Sequence, residues 1–418
     1  MKKTAVGIGA CLILTIICLV APVSAQDASV GAAAIPLYDP RPDYDRYQRT
    51  DEYDQFSWDL FLYIVWPALD GARGIPDPDK TLVDSGIATW ETWKDIDETL
   101  RLDGKKPRPW SDPISVDYSE LFTFLETSGF YGTDSVPQVD GHRLKDANGD
   151  QAWGSLRSNK ATFDYIVDRE LHNVEGQIAF FNDPDAEPVD FPAAAMQIKS
   201  TWIKLNDEDH EQLKDQFYTT TLTYPKDNTD HHFALIGLHI MSKVQKNWFW
   251  TTFEHASAND LADAPLTVPV SEATQEVNRQ MKEKLEGSPW RYYHCRGSQW
   301  SYLNDAKKTV LLSNTTIETR VQESSSCMTC HSLASRGGEN DSNIRMFKIT
   351  ANGKEGYVGA PPWRLFCEDG MSTTSDTGAN TGEMYCSDLG LDYKYRALDF
   401  AWILRLAKKE QTADSGPE

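Results

Sequence analysis

The sequence predicts an α+β fold, with a mixed α/β-rich N-terminal region over 51–260 and a largely α-helical C-terminal region over 291–418. A linker and a helix at 261–290 join the two. Three observations carry this expectation. Apolar runs near the start have helical spacing. The middle of the chain is a series of short runs rich in β-branched and aromatic residues. The last apolar run, "YRALDFAWILRLAKK" at 395–409, is amphipathic, with basic residues in its final turn where they complement the helix dipole. Apolar residues make up 40% of the 418 and aromatics 11%, enough for a sizeable core.

The elements follow in order. "MKKT", the apolar run "AVGIGACLILTIICLV" and the small-residue end "APVSA" have the layout of a secretory signal peptide cleaved after Ala25. Residues 26–50 read as an extended leader. "DEYDQFSWDLFLYIVW" at 51–66 is a buried helix stopped by Pro67. "IATWETWKDIDETL" is a second, amphipathic helix candidate. The strand candidates are "EGQIAFF", "AAMQIKSTWIKL", "FYTTTLTY", "HFALIGLHIM" and "NWFWTTFEH". "NDEDHEQLKDQ" is an acidic helical turn, and "EATQEVNRQMKEKLEG" is a solvated helix closed by Gly287.

Formal net charge is −22, which repels phosphate backbones and argues against nucleic-acid binding. It favours a basic redox partner, or a neutral or cationic small-molecule substrate. No stretch after the signal is long and apolar enough to span a bilayer, so the mature chain is expected to be exported, to the periplasm or beyond. Two of the 7 cysteines fall in the signal segment, leaving Cys295, Cys327, Cys330, Cys367 and Cys386. An oxidising compartment favours pairing among those not otherwise used. Cys367–Cys386 is one pairing; Cys295 with either is the other.

The chemistry concentrates in "QESSSCMTCHSL" at 322–333. Cys-x-x-Cys-His is the attachment signature of c-type haem. Two residues between the thiols of Cys327 and Cys330 place both within reach of the porphyrin vinyl groups, and His331 then stands under the iron as proximal ligand. One such motif occurs, so one covalently attached haem c is expected, borne by the C-terminal region. Ser324, Ser325 and Ser326 supply N-caps for a helix opening at the motif. Two rivals remain: a redox dithiol, and a zinc site completed by Cys367 and Cys386. Candidate distal ligands are Met371, Met384 and Met346, since methionine with histidine raises a cytochrome's potential.

A second group of polar residues interrupts the β-like runs. Lys199, His239, Glu254 and His255 are candidates for a distal acid–base pocket, with Glu254 orienting a histidine. Packed core histidines and solvated lysines are the alternative.

These stretches, with "FLYIVWPALDGARGIPD", "TWETWK", "LLSNTTIETRVQESSSCMTCHSLAS" and "LDFAWIL", resemble a group of exported bacterial monohaem proteins of the cytochrome c family. The resemblance spans most of the mature chain. It implies haem binding at Cys327, Cys330 and His331 and an exported redox role. Its Lys–His–Glu elements match Lys199, His239, Lys243, Glu254 and His255. It brings no substrate with it.

Two functions follow as expectations: an electron-transfer cytochrome, and a haem-dependent oxidoreductase of peroxidase or oxidase type with an open distal site. About 100 residues suffice for a small haem domain. The roughly 300 residues ahead of the motif therefore need a pocket or a docking surface to account for them.

Overall fold

The strand-forming runs of the middle of the chain meet in one antiparallel sheet. The structure, a computed structural model, describes residues 31–114, 122–123, 153–224, 229–258, 269–318, 322–338 and 394–411. The signal segment, Met346, Met371, Met384, Cys367 and Cys386 lie outside them. The strands are β1 (Lys94–Asp95), β2 (Phe122–Thr123), β3 (Trp153–Ser158), β4 (Met196–Leu205), β5 (Thr219–Tyr224), β6 (Thr229–Ser242), β7 (Phe249–His255) and β8 (Tyr293–Gln299). They form an 8-stranded sheet whose main path runs β1-β3-β4-β6-β7-β8. β5 pairs the first half of β6 and β7 the second, so the two lie end to end along one long strand. A separate ribbon pairs β9 (Ser335–Arg336) with β10 (Arg396–Ala397).

Alternation along the strands gives the sheet two different faces. Ile198, Leu238, Ile240, Phe249, Phe253 and Cys295 point to one core. Helix Thr50–Val65 covers that core, with its apolar residues buried on nearly every side. Phe61 stacks on Phe253 with ring centroids 4.2 Å apart. Each such buried phenylalanine contributes on the order of 1.5–3 kcal/mol. The helix starts where Glu52 accepts from the Gln48 and Arg49 N–H groups, and it ends at Pro67, which forces Trp66 out of helical geometry. Helix Glu272–Lys284 lies beside it, capped by Ser271 and followed by Gly287 at φ +88. Asn278 ties this helix to the sheet by accepting from Cys295 N and donating to Cys295 O.

The other face carries Gln197, Lys199, Thr201, Gly237, His239, Met241, Trp250, Thr252, Glu254 and Gln299. Three late segments cover it: residues 311–318, the motif helix, and residues 398–406. Met241, Trp250, Met328, Leu333, Trp402 and Leu404 make a second core there.

The fold expectation is therefore corrected. The architecture among the described residues is one 8-stranded antiparallel sheet with a small two-stranded ribbon and few helices, not an α+β chain ending in a largely α-helical region. β8, within the 291–418 span, belongs to the same sheet as the strands before it. The run at 395–409 is no amphipathic helix: it forms β10, two residues at positive φ and a 3₁₀ turn at Trp402–Leu406. Leu398, Ala401, Trp402 and Leu404 are all buried, so tertiary burial overrides the helical period. Two local expectations also fall. "EGQIAFF" is helical, within Val174–Asn182, because Asn173 caps Gly176 N. "IATWETWKDIDETL" breaks into a 3₁₀ turn, β1 and a four-residue helix.

Candidate functional site

Cys327–His331 is one short α-helix. Ser326 stands at its N-cap position, but its side chain caps no backbone N–H and donates to Thr329 Oγ1 at 3.1 Å. The cap comes from the sheet instead. Gln299, fully buried at the end of β8, accepts from Met328 N at 3.1 Å and donates to Ser326 Oγ at 3.0 Å. One amide thus satisfies a helix-terminal donor and fixes the helix against the sheet.

His331 is held from two sides. Its Nδ1 lies 2.9 Å from Phe400 O, the geometry of an Nδ1–H donating to a carbonyl. Trp250 packs against the ring, with centroids 4.6 Å apart. With the proton on Nδ1, Nε2 carries the lone pair, and among the described residues it has no hydrogen-bond partner. Burial pushes the imidazole down to about 4, helped by the charges of Lys199 and His239. It is a neutral nitrogen donor at ordinary pH.

The segment that supplies the Phe400 carbonyl is itself tightly fixed. Asp399 and Phe400 sit at φ +45 and +67, in the left-handed region that costs a non-glycine residue about 1–2 kcal/mol. Three contacts hold them there. Lys243 Nζ lies 2.7 Å from Asp399 Oδ2, Phe191 N donates to the same oxygen, and Trp402 Nε1 donates to Cys330 O at 3.0 Å. Burial raises the Asp399 carboxyl to about 6, and the Lys243 charge works against that rise. Lys243 is thus an orienting residue beneath the motif.

A polar group faces the motif from the sheet. Lys199 on β4 and His239 on β6 are direct cross-strand partners. His239 Nε2 lies 2.7 Å from Glu318 Oε1. Burial works to raise the Glu318 carboxyl, but the charges of His239 and Lys199 and the Asn314 N–H hold it below its ordinary value. The field of Glu318 reaches Cys327, Cys330 and His331, and that of Lys199 reaches Cys327 and His331. His239 Nδ1 is buried with no hydrogen-bond partner among the described residues.

The loop bearing Glu318 is anchored to the sheet. Asn314 donates to Thr252 Oγ1 and Phe253 O, each at 2.9 Å, and Thr316 Oγ1 meets Thr201 Oγ1 at 2.7 Å. Gly237 leaves the space for this approach: a Cβ there stands 2.5 Å from both threonine hydroxyls. Glu254 is a further anchor. It accepts from Thr315 N at 2.9 Å and lies 3.3 Å from His294 Nε2 and 3.4 Å from Arg296 Nε.

Of the four candidates for a distal pocket, Lys199 and His239 are cross-strand partners whose charges reach His331. Glu254 shares their face but serves the loop, and Glu318 takes the histidine-orienting place that the sequence suggested for it. His255 points to the opposite side, where it stacks on Phe217 at 3.6 Å and its ring nitrogens meet Ser257 Oγ and Gln216 O. Sequence reasoning missed Gln299 and Glu318. Glu318 does fall inside the quoted run "LLSNTTIETRVQESSSCMTCHSLAS", nine residues before the first motif cysteine.

The thiols bear on the rival readings. Burial pushes Cys330 up to about 11 and Cys327 well above its ordinary value, the reverse of a reactive dithiol. Among the described residues, no three or more His, Cys, Asp or Glu side chains converge as a metal-ion site. Cys295 is a free, fully buried thiol on the other face of the sheet. No helix among the described residues is long and apolar enough to cross a membrane. Comparisons with protein-family models, with curated proteins and with solved structures return no match for this chain.

Proposed function

We propose that this chain is an exported redox protein carrying one covalently attached haem c, held by Cys327, Cys330 and His331. The observation that carries the reading is the pinned His331, with Nδ1 committed to Phe400 O and Nε2 left open as a lone-pair donor. The two free thiols stand on the same helical turn. Haem bound there supplies a one-electron couple, the basis of electron transfer to a partner protein. The chain's own residues fix the ligand's tautomer, exclude water with Trp250 and Trp402, and hold the helix through Gln299. The test is acid extraction of the denatured, purified protein: colour retained on the polypeptide supports the reading, and haem released into the organic phase ends it.

A second reading, a haem-dependent oxidoreductase, is favoured by one specific observation. His239 has one nitrogen on Glu318 and the other buried and unpartnered, beside Lys199 and within electrostatic reach of the motif. An imidazole so arranged can take or give a proton, with the carboxylate orienting it. Optical spectra of both oxidation states discriminate. A low-spin spectrum with a methionine–iron charge-transfer band supports the carrier, with Met346, Met371 or Met384 as sixth ligand. A high-spin spectrum supports the enzyme.

A further inference from the structure

The amine of Lys243 and the carboxyl of Asp399 come from segments 156 positions apart, yet they meet with little freedom left. Lys243 directly follows β6, and its backbone N–H donates to Ala195 O. Its side chain is 5% exposed and that of Asp399 7%. Nζ lies 2.8 Å from Asp399 Oδ1 and 2.7 Å from Oδ2. Near-equal distances to both oxygens set the nitrogen opposite the carboxyl carbon between them. A turn of the carboxyl about its Cβ–Cγ bond presents the face of that carbon to the amine.

The other groups around this contact supply what amide formation needs. Asp190 Oδ1 is 2.8 Å from the same Nζ, in place to take a proton from it. The Asp190 side chain is 77% exposed, so protons and water have a way out. Lys246 O accepts from Nζ at 2.8 Å and fixes the amine. Phe191 N donates to Asp399 Oδ2 at 2.8 Å, the oxygen on which negative charge develops when the carbon is attacked. The inner side is apolar: Trp248, fully buried, lies with its ring 5.7 Å from Nζ, and Phe191 packs on Trp248 at 5.6 Å. Burial raises the Asp399 carboxyl to about 6, so it holds a proton more readily than an ordinary aspartate, as a leaving hydroxyl requires.

Two reacting groups held in contact behave as if at an effective concentration of about 10⁵–10⁸ M. The product is also favoured, because a buried ion pair carries the desolvation penalty of both charges and a neutral amide does not.

We propose that Lys243 and Asp399 condense to an isopeptide bond, with Asp190 as the base. Nζ bonds to Asp399 Cγ, and one Asp399 oxygen leaves as water. The ammonium starts with three protons, the amide keeps one, and the other two, passed through Asp190, depart in the water. One positive and one negative charge vanish together, and no oxidant or co-reactant enters. The bond ties the end of β6 to the residue before the carbonyl that pins His331. It stands independently of the haem reading.

The test is a tryptic map of the full chain, purified and then denatured. The expected product joins residues 227–246, "DNTDHHFALIGLHIMSKVQK" with Lys243 uncut, to residues 397–405, "ALDFAWILR", and is lighter than the two peptides together by one water. Cleavage after Lys243 with 397–405 recovered free overturns the proposal. K243R keeps the charge without the nucleophilic amine, and its map is expected to show only unlinked peptides. D190N, with its fold checked by far-UV circular dichroism, slows linking by about 10²-fold or more and leaves freshly purified chain mostly unlinked. A D190N chain linked as fully as wild type overturns the part given to Asp190. Should either variant unfold, the wild-type map decides the bond by itself, because an amide survives denaturation and an ion pair does not.

Discussion

Lys199 and His239 stand opposite each other across β4 and β6, and a carboxylate from a covering loop, Glu318, completes the group at 2.7 Å from the imidazole. The sheet supplies the two basic groups in fixed register, while the loop supplies the acid. Position along a strand sets the first pair; the anchoring of residues 311–318 sets the third member.

This arrangement predicts a separable effect on chemistry. In the oxidoreductase reading, His239→Ala and Glu318→Gln retain the haem but slow peroxide reduction with an artificial electron donor by about 10²–10⁴-fold, the usual worth of a positioned acid–base group. His255→Gln leaves the rate near wild type. Equal rates in all three proteins remove His239 and Glu318 from the chemistry.

Gly237→Ala tests the loop's seat. The added Cβ collides with Thr201 and Thr316 hydroxyls that hydrogen-bond to each other in a buried space. Overpacking of this kind costs about 1–3 kcal/mol, read as a lower denaturant midpoint. The loop shift also moves Glu318, so the reaction rate falls with stability. An unchanged midpoint contradicts the tight approach.

The Lys243–Asp399 pair predicts a strong asymmetry between single and double variants. Lys243→Met leaves a buried carboxylate without its partner and costs about 3–5 kcal/mol. Combining it with Asp399→Asn recovers part of that loss. Chemical denaturation of the three variants measures the coupling; additive losses count against a direct pair.

His255 gives a pH signature. Burial lowers its pKa from 6.5 to about 4 in the folded chain, so the unfolded state takes up the proton first as pH falls. Its contribution to stability is fully present above pH 6.5 and is lost as pH drops from there toward 4, by about 3 kcal/mol in total. Urea unfolding across that window is expected to be less steep in pH for His255→Gln than for wild type. Parallel profiles exclude the buried neutral imidazole.

Much of the sheet was legible because β4, β6 and β7 fall in short runs rich in β-branched and aromatic residues. The apolar character of the same runs marked Lys199 and His239 as polar interruptions worth notice. Those runs could not tell His239 from His255, because which face meets the motif depends on the segments that later cover the sheet. Glu318 and Gln299 escaped for a related reason: each acts through a partner far off in sequence or in a loop without period. The 395–409 run misled because burial on all sides looks, in one dimension, like an amphipathic stripe. Only the Asp399 ion pair and the left-handed turn show why it does not coil.

The carbonyl that pins His331 belongs to a residue 69 positions later in the chain. As the polypeptide emerges, both thiols and the imidazole are therefore made well before the segment that closes over them. Synthesis itself leaves an interval in which Cys327 and Cys330 are made and uncovered, and folding of residues 398–406 ends it. In the haem reading, attachment to these thiols falls inside that interval, before residues 398–406 cover them.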